Sequence, residues 1–201
     1  MKITACLPAY KIMDIPAVAS GFALQAGVYQ RGDHIDILLS HGYLVDRARQ
    51  LMTEEALRRK SDYILNIDSD HVFETQQLYD IIERLEANKL QMLSAKYYVR
   101  NALIPPRPIA MCNWDKTKKK FVKIIPLGKE TGIHDCDVVG NGFLVIKYDF
   151  MKKLFDKYHT LFKLSHYGED MYFCDLVKKE GARVCYDADT IIGHLSLVNN
   201  K

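Results

Sequence analysis

No two cysteines in this sequence stand at the Cys-x-x-Cys spacing of a zinc site or redox pair. The five present are Cys6, Cys112, Cys136, Cys174 and Cys185. An odd, scattered set in a chain of 201 residues does not read as a disulfide framework, though one or two disulfides stay open for a protein of a hyperthermophile or its virus. Buried thiols in a reducing compartment are the plainer account, and a cytoplasmic location is expected. Long apolar runs are lacking as well. No stretch approaches the ~20 residues of a membrane span. The run from Met1 to Leu7 is too short for a signal-peptide core and meets Pro8 at once. A transmembrane segment is therefore not expected, while contact with a membrane surface stays open. Charge of one sign is scarce too: the net value is +3, so nothing calls for nucleic acid as a partner. Repeats and low-complexity tracts are absent.

What is present suits one globular domain over 1–201. The chain is 48% hydrophobic and 26% charged, enough to fill a core. Ile3 to Leu7 reads as a buried strand stopped by Pro8. Pro16 opens a helix that runs through Ala19, Phe22, Ala23 and Ala26. Ile35 to Leu39 is a second strand, with a turn at Ser40-His41-Gly42. Leu44, Ala48, Leu51, Met52 and Ala56 recur at helical spacing. Tyr63 to Ile67 is a strand apolar on both faces. Thr75 to Asn88 is an amphipathic helix with Leu78, Ile81, Ile82 and Leu85 on one face, and Leu90 to Ala95 is another strand. This alternation predicts an α/β fold with a mostly parallel sheet between helices. The second half differs. Pro105, Pro106 and Pro108 break the rhythm. Ile109 to Trp114 and Phe121 to Ile125 form an expected antiparallel hairpin with a lysine-rich tip. A strand ending at Lys147 follows, entered through Gly140 and Gly142, which permit a bulge or the approach of a ligand. Helices at 150–158 and 169–180 and a strand at 184–186 complete the reading.

The central strand ends in Asp68-Ser69-Asp70. In extended chain these acids would share a side, about 6.6 Å apart at a rise of 3.3 Å per residue. Two such carboxylates repel unless a cation or proton lies between them, and their oxygens suit Mg²⁺ or Mn²⁺. Strand ends are where open α/β sheets bind ligands. The plainer account makes Asp68 a turn residue and Asp70 part of a helix cap.

Asp68-Ser69-Asp70 after an apolar strand resembles the DXD motif of GT-A glycosyltransferases. Ala48-Arg49-Gln50 is similar to an Ala-Arg-Asn segment of family-2-type members. Val139-Gly140-Asn141-Gly142-Phe143 resembles their acceptor-side loop and strand. Tyr167-Gly168-Glu169-Asp170-Met171-Tyr172-Phe173 resembles their Glu-Asp-x-x-Phe element, and Gly193-His194 a late histidine that joins the metal. The compact length is similar to that of minimal transferases from microbes or their viruses. The resemblance implies a GT-A fold, with a nucleotide-sugar-binding half (1–100) and an acceptor-binding half (101–201). It also implies transfer of a sugar from a nucleotide-diphosphate sugar to a hydroxyl of a carbohydrate, lipid or protein acceptor. Mn²⁺ or Mg²⁺ would be held by Asp70 and His194, with Asp68 on the metal or the ribose. The donor would meet Pro8, Ala9, Tyr10, Arg49, Asp68 and Ser69. Asp170 would be the general base of an inverting reaction, helped by Glu169. Asn141, Gly142 and Trp114 would line the acceptor side. The sequence departs from the family after the second strand, where Ser40-His41-Gly42 replaces an acidic pair, and Asp36 and Asp46 are the acids nearest to take that place. The alternatives are a nucleotide- or carbohydrate-binding module on a catalytically degenerate GT-A fold and, lower, an Asp-dependent phosphatase with Asp68 as nucleophile.

Overall fold

Strand β1 (Lys2–Ala9) is buried from Ile3 onward and forms one axis of the molecule. The computed structural model describes residues 1–9, 13–98, 110–115, 120–124, 130–164 and 168–195, with backbone alone for 111–115 and 120–124. Tyr10, Tyr167, the prolines at 105, 106 and 108, and the lysine-rich tip at 116–119 lie outside the described residues.

After β1 come α1 (Ile15–Gln30), β2 (His34–His41), α2 (Val45–Arg59), β3 (Tyr63–Ile67), β4 (His71–Val72), α3 (Thr75–Ala87) and β5 (Met92–Lys96). The second half supplies β6 (Ala110–Asp115), β7 (Lys120–Ile124), β8 (Ile133–Asp135), β9 (Val138–Val139), β10 (Phe143–Lys147), α4 (Tyr148–Tyr158), α5 (Glu169–Lys179), β11 (Cys185–Ile191) and β12 (Gly193–His194). Seven strands form the main sheet in the order β2-β1-β3-β10-β5-β11-β8. β1 runs parallel to β2 and β3, and β5 parallel to β11. β10 and the edge strand β8 run against them. A small antiparallel sheet, β7-β6-β9, stands apart, with Trp114 opposite Phe121 as the expected hairpin requires.

Pro8 does not end β1. The strand continues to Ala9, opposite His41 of β2. Its pairing with β3 has stopped at Cys6, so the N–H missing from Pro8 breaks no bond to β3. β2 likewise runs on through His41, and Gly42 turns the chain at φ +82°.

The core lies on both faces of the sheet. One face packs Ala48, Met52 and Ala56 of α2, Leu154 of α4 and Phe173 of α5 against Ile64, Leu144 and Ile146. The other packs Leu24 and Val28 of α1 and Leu78, Ile81 and Leu85 of α3 against Leu65, Ile67, Phe143 and Val145. The sequence places α1 but not its buried face. It buries Ala17, Ser20, Gly21, Leu24 and Val28, while Ala19, Ala23 and Ala26 are exposed and Phe22 is 69% exposed. The helix is apolar on nearly every side, so its sequence carries no polar stripe to mark the outer face.

The direction of β10 positions the site. An antiparallel strand begins where its parallel neighbours finish. Phe143 pairs with Ile67, so Asn141 and Gly142 arrive beside the carboxyl end of β3, and Asp68 N–H donates to Gly142 O at 2.8 Å.

Candidate active site

β3 ends in a turn rather than in extended chain. His71 N–H reaches back to Asp68 O at 3.2 Å, so Asp68 and Asp70 do not share a side as the sequence suggested. The turn sends their carboxylates to different partners.

Asp70 joins two histidines. β4 pairs with β12, setting His71 directly opposite His194, and Leu195 N–H donates to Asp70 O at 2.9 Å. Facing residues on paired strands put their side chains together, and the two imidazole centroids are 4.7 Å apart. Each ring is fixed through Nδ1 by a backbone carbonyl: His71 to Gly142 O at 2.7 Å, His194 to Tyr98 O at 2.6 Å. A carbonyl only accepts, so both Nδ1 atoms carry the hydrogen and both Nε2 atoms are the ones left for a ligand. His194 Nε2 stands 3.1 Å from Asp70 Oδ2. His71 is fully buried, yet its Nε2 has no hydrogen-bond partner. Ligand atoms of Asp70, His71 and His194 all fall within 4.8 Å of one another. A buried imidazole nitrogen with nothing to bond, beside a carboxylate and a second imidazole, fits a divalent cation. Burial lowers the pKa of His71 and keeps it neutral, as a ligand must be. At His194 burial opposes charge, but the bonds to Asp70 and the Tyr98 carbonyl outweigh it and the pKa is raised. Positive charge is thus favoured between Nε2 and the carboxylate.

Asp68 is not in this group. Its Oδ1 takes a 2.6 Å bond from Arg49 Nη2. Arg49, expected against a diphosphate, is only 2% exposed. It spends its other nitrogens on Glu169 Oε1 at 3.4 Å and Asn141 O at 3.3 Å. One guanidinium thereby ties α2 to the ends of β3 and β10 and the start of α5. Burial works against its charge, and the carboxylates of Asp68, Asp170 and Glu169 still raise its pKa.

Asp170 takes a 2.7 Å bond from Asn141 Nδ2. A helix start by itself would lower its pKa. Instead the carboxyl is pushed up to about 7: burial dominates, Glu169 and Asp68 add to it, and Arg49 and Asn141 oppose it. Asn141 and Gly142 are buried and serve the site through other side chains. A Cβ on Gly142 would lie 2.1 Å from His71 Cε1, 2.7 Å from Asp68 Oδ2 and 2.8 Å from the Tyr97 hydroxyl. The glycine therefore admits the protein's own side chains. Gly142 N–H donates to Tyr97 Oη at 2.7 Å.

A cleft of about 380 Å³ opens beside the acidic turn, lined by Pro8, Tyr43, Leu44, Val45, Asp68, Ser69 and Asp70. Ala9 is buried in β1. Trp114 belongs to β6, and its side chain lies outside the described residues. Asp36 is bound to Arg59 and His34 and sits opposite Thr4, well before the strand ends. Asp46 accepts from Leu164 N–H. The sequence reading missed His71, Tyr97 and the Tyr43-Leu44-Val45 wall. The only signal for His71 was its place next to Asp70, since a two-residue strand shows no periodicity.

The mixed, mostly parallel sheet flanked by helices matches structures of the GT-A fold. Solved structures that match include two, A197 from STIV and GalNAc-T7. A197 from STIV matches with a TM-score of 0.65 at 18% identity, over 97% of this chain and 86% of that one. GalNAc-T7, solved with UDP, GalNAc and Mn²⁺, matches with a TM-score of 0.61 at 10% identity, over 96% of this chain and 43% of that one. The chain thus spans less than half the length of GalNAc-T7, and identities this low establish the fold alone. No family model and no curated protein matches the sequence.

Proposed function

We propose that this protein is a metal-dependent glycosyltransferase that moves a sugar from a nucleotide-diphosphate donor to an acceptor hydroxyl with inversion. The observation that carries this reading is the convergence of Asp70, His71 and His194, each imidazole locked through Nδ1, at the rim of a cleft on the strand-end side of a GT-A sheet. GalNAc-T7, of the same fold, was solved with UDP, GalNAc and Mn²⁺, which supports a nucleotide ligand and a divalent ion here. Mn²⁺, which accepts imidazole more readily than Mg²⁺ does, would be held by the two Nε2 atoms and the Asp70 carboxylate. When bound it supplies positive charge to a departing diphosphate.

The chain's own groups do the rest. Tyr43 and Leu44 offer an apolar wall to the flat face of a base, and Ser69 a hydroxyl to the phosphates or ribose. Asp170, poised near neutrality, takes the proton of the acceptor hydroxyl. As that oxygen bonds to the anomeric carbon, the anomeric bond to the diphosphate breaks and its electron pair leaves with the diphosphate. Arg49 holds Asp68 and Glu169 in place beside Asp170 through its two ion pairs.

A thermal-shift screen of nucleotide sugars with and without Mn²⁺ tests the proposal, because a ligand of the folded state raises its midpoint by mass action. At least one nucleotide sugar should stabilise the protein only when Mn²⁺ is present. Asp70→Ala should abolish that shift. Asp170→Asn should keep it and slow transfer by ~10²–10⁴-fold. A midpoint that no nucleotide moves in either condition overturns the reading. Binding without turnover on any acceptor supports the binding-module alternative instead.

A further inference from the structure

The ladder between β5 and β11 is interrupted. Tyr186 faces Ser94 and Asp187 faces Ala95, but Ile191, not Ala188, faces Lys96. The residues from Ala188 to Thr190 are thrown out as a bulge. Asp187 knots it from inside. Its carboxylate is fully buried and accepts Thr190 Oγ1 at 2.6 Å, Asp189 N–H at 3.2 Å and Arg84 Nη1 at 3.0 Å. The same Arg84 nitrogen reaches Asp189 Oδ2 at 2.6 Å. Beyond the knot the path is pinned residue by residue. Ile191 O accepts from Gln77 of α3 at 2.7 Å, Ile192 N–H donates to Lys96 O at 2.8 Å, and His194 then meets His71.

We propose that Asp187, held by Arg84 and Thr190, is the positioning residue that sets His194 into the cation site. The proposal rests on the reading of Asp70, His71 and His194 as that site. Bulges re-aim the chain that follows them. This one absorbs three residues, so its shape decides where β12 begins and which residue lands opposite His71. A slip of one residue would turn the imidazole to the other face of the ribbon. The carboxylate touches neither the cleft nor the three ligand groups and acts only through the backbone between 187 and 194.

Two measurements test it. The first is the affinity for Mn²⁺ alone, read from the free-ion spin-resonance signal. Asp187→Asn should weaken it by at least tenfold, the range seen when groups behind metal ligands are removed. Thr190→Val should weaken it several-fold, and Arg84→Lys should restore most of the affinity that Arg84→Ala loses. The second is the nuclear Overhauser contact between the rings of His71 and His194 in the metal-free protein, which Asp187→Asn should abolish while the signals of β1 and β3 persist. Wild-type Mn²⁺ affinity together with an intact ring contact in Asp187→Asn overturns the proposal. If Asp187→Asn does not fold, Thr190→Val, which keeps the ion pair, decides by the same two readouts. If the wild type binds no Mn²⁺, the proposed function fails, and the ring contact alone still decides the positioning role.

Discussion

At Asp170 two influences oppose each other. A helix start favours an ionised carboxylate, whereas burial next to Glu169 and Asp68 favours the neutral acid, and burial prevails over Arg49 and Asn141. The folded pKa is about 7 against an ordinary 3.8. Between those values the folded state keeps a proton that the unfolded chain has released. Stability therefore falls as pH rises through this window and levels off above it. Denaturant unfolding at pH 5 and pH 8 should show Asp170→Asn losing less stability than wild type between the two. If both lose the same amount, Asp170 is ionised throughout. Under the proposed function, with Asp170 as base, transfer should change in the opposite sense and rise through about pH 7. The place of this acid at a helix start was legible in the sequence, because Glu169-Asp170 opens a clear helix. Its raised pKa was not, because it comes first from burial in the fold and then from Glu169 and from Asp68, which is about a hundred residues away in the chain.

Between elements, the decisive contacts are made by a cation and by a missing side chain. Arg49 joins α2 to β3, β10 and α5. Replacing it with alanine leaves carboxylates crowded and uncompensated, at a cost of about 3–5 kcal/mol, measurable by denaturant titration. Gly142→Ala should act on chemistry and stability together. Its methyl must displace His71, Asp68 or Tyr97, costing about 1–3 kcal/mol and weakening Mn²⁺ binding. A variant that binds Mn²⁺ normally would show that His71 is not a ligand. At this scale the sequence is read unevenly. α3 has one apolar stripe, and Leu78, Ile81, Ile82 and Leu85 are all buried as expected. α1, apolar all round, shows no face to read. β4 and β12 are two residues each, too short to show a period, and their pairing completes the cation group. The direction of β10 was also hidden, since side-chain alternation is the same whichever way a strand runs.

For the molecule as a whole, β10 is the keystone. It lies between β3 and β5, bonded to both, though it follows them by many residues. A fragment of residues 1–100 therefore lacks the strand that joins its own sheet. It should show no cooperative unfolding transition by calorimetry, while the full chain shows one. A cooperative transition in the fragment would mean that β3 and β5 find another partner. The same arrangement has a consequence on the ribosome. Until Lys147 has left the exit tunnel the first three strands and β5 wait apart, and His194 emerges later still. An interrupted translation product can hold much of the helical mass of this protein, yet it will lack His194, the partner that β12 sets opposite His71.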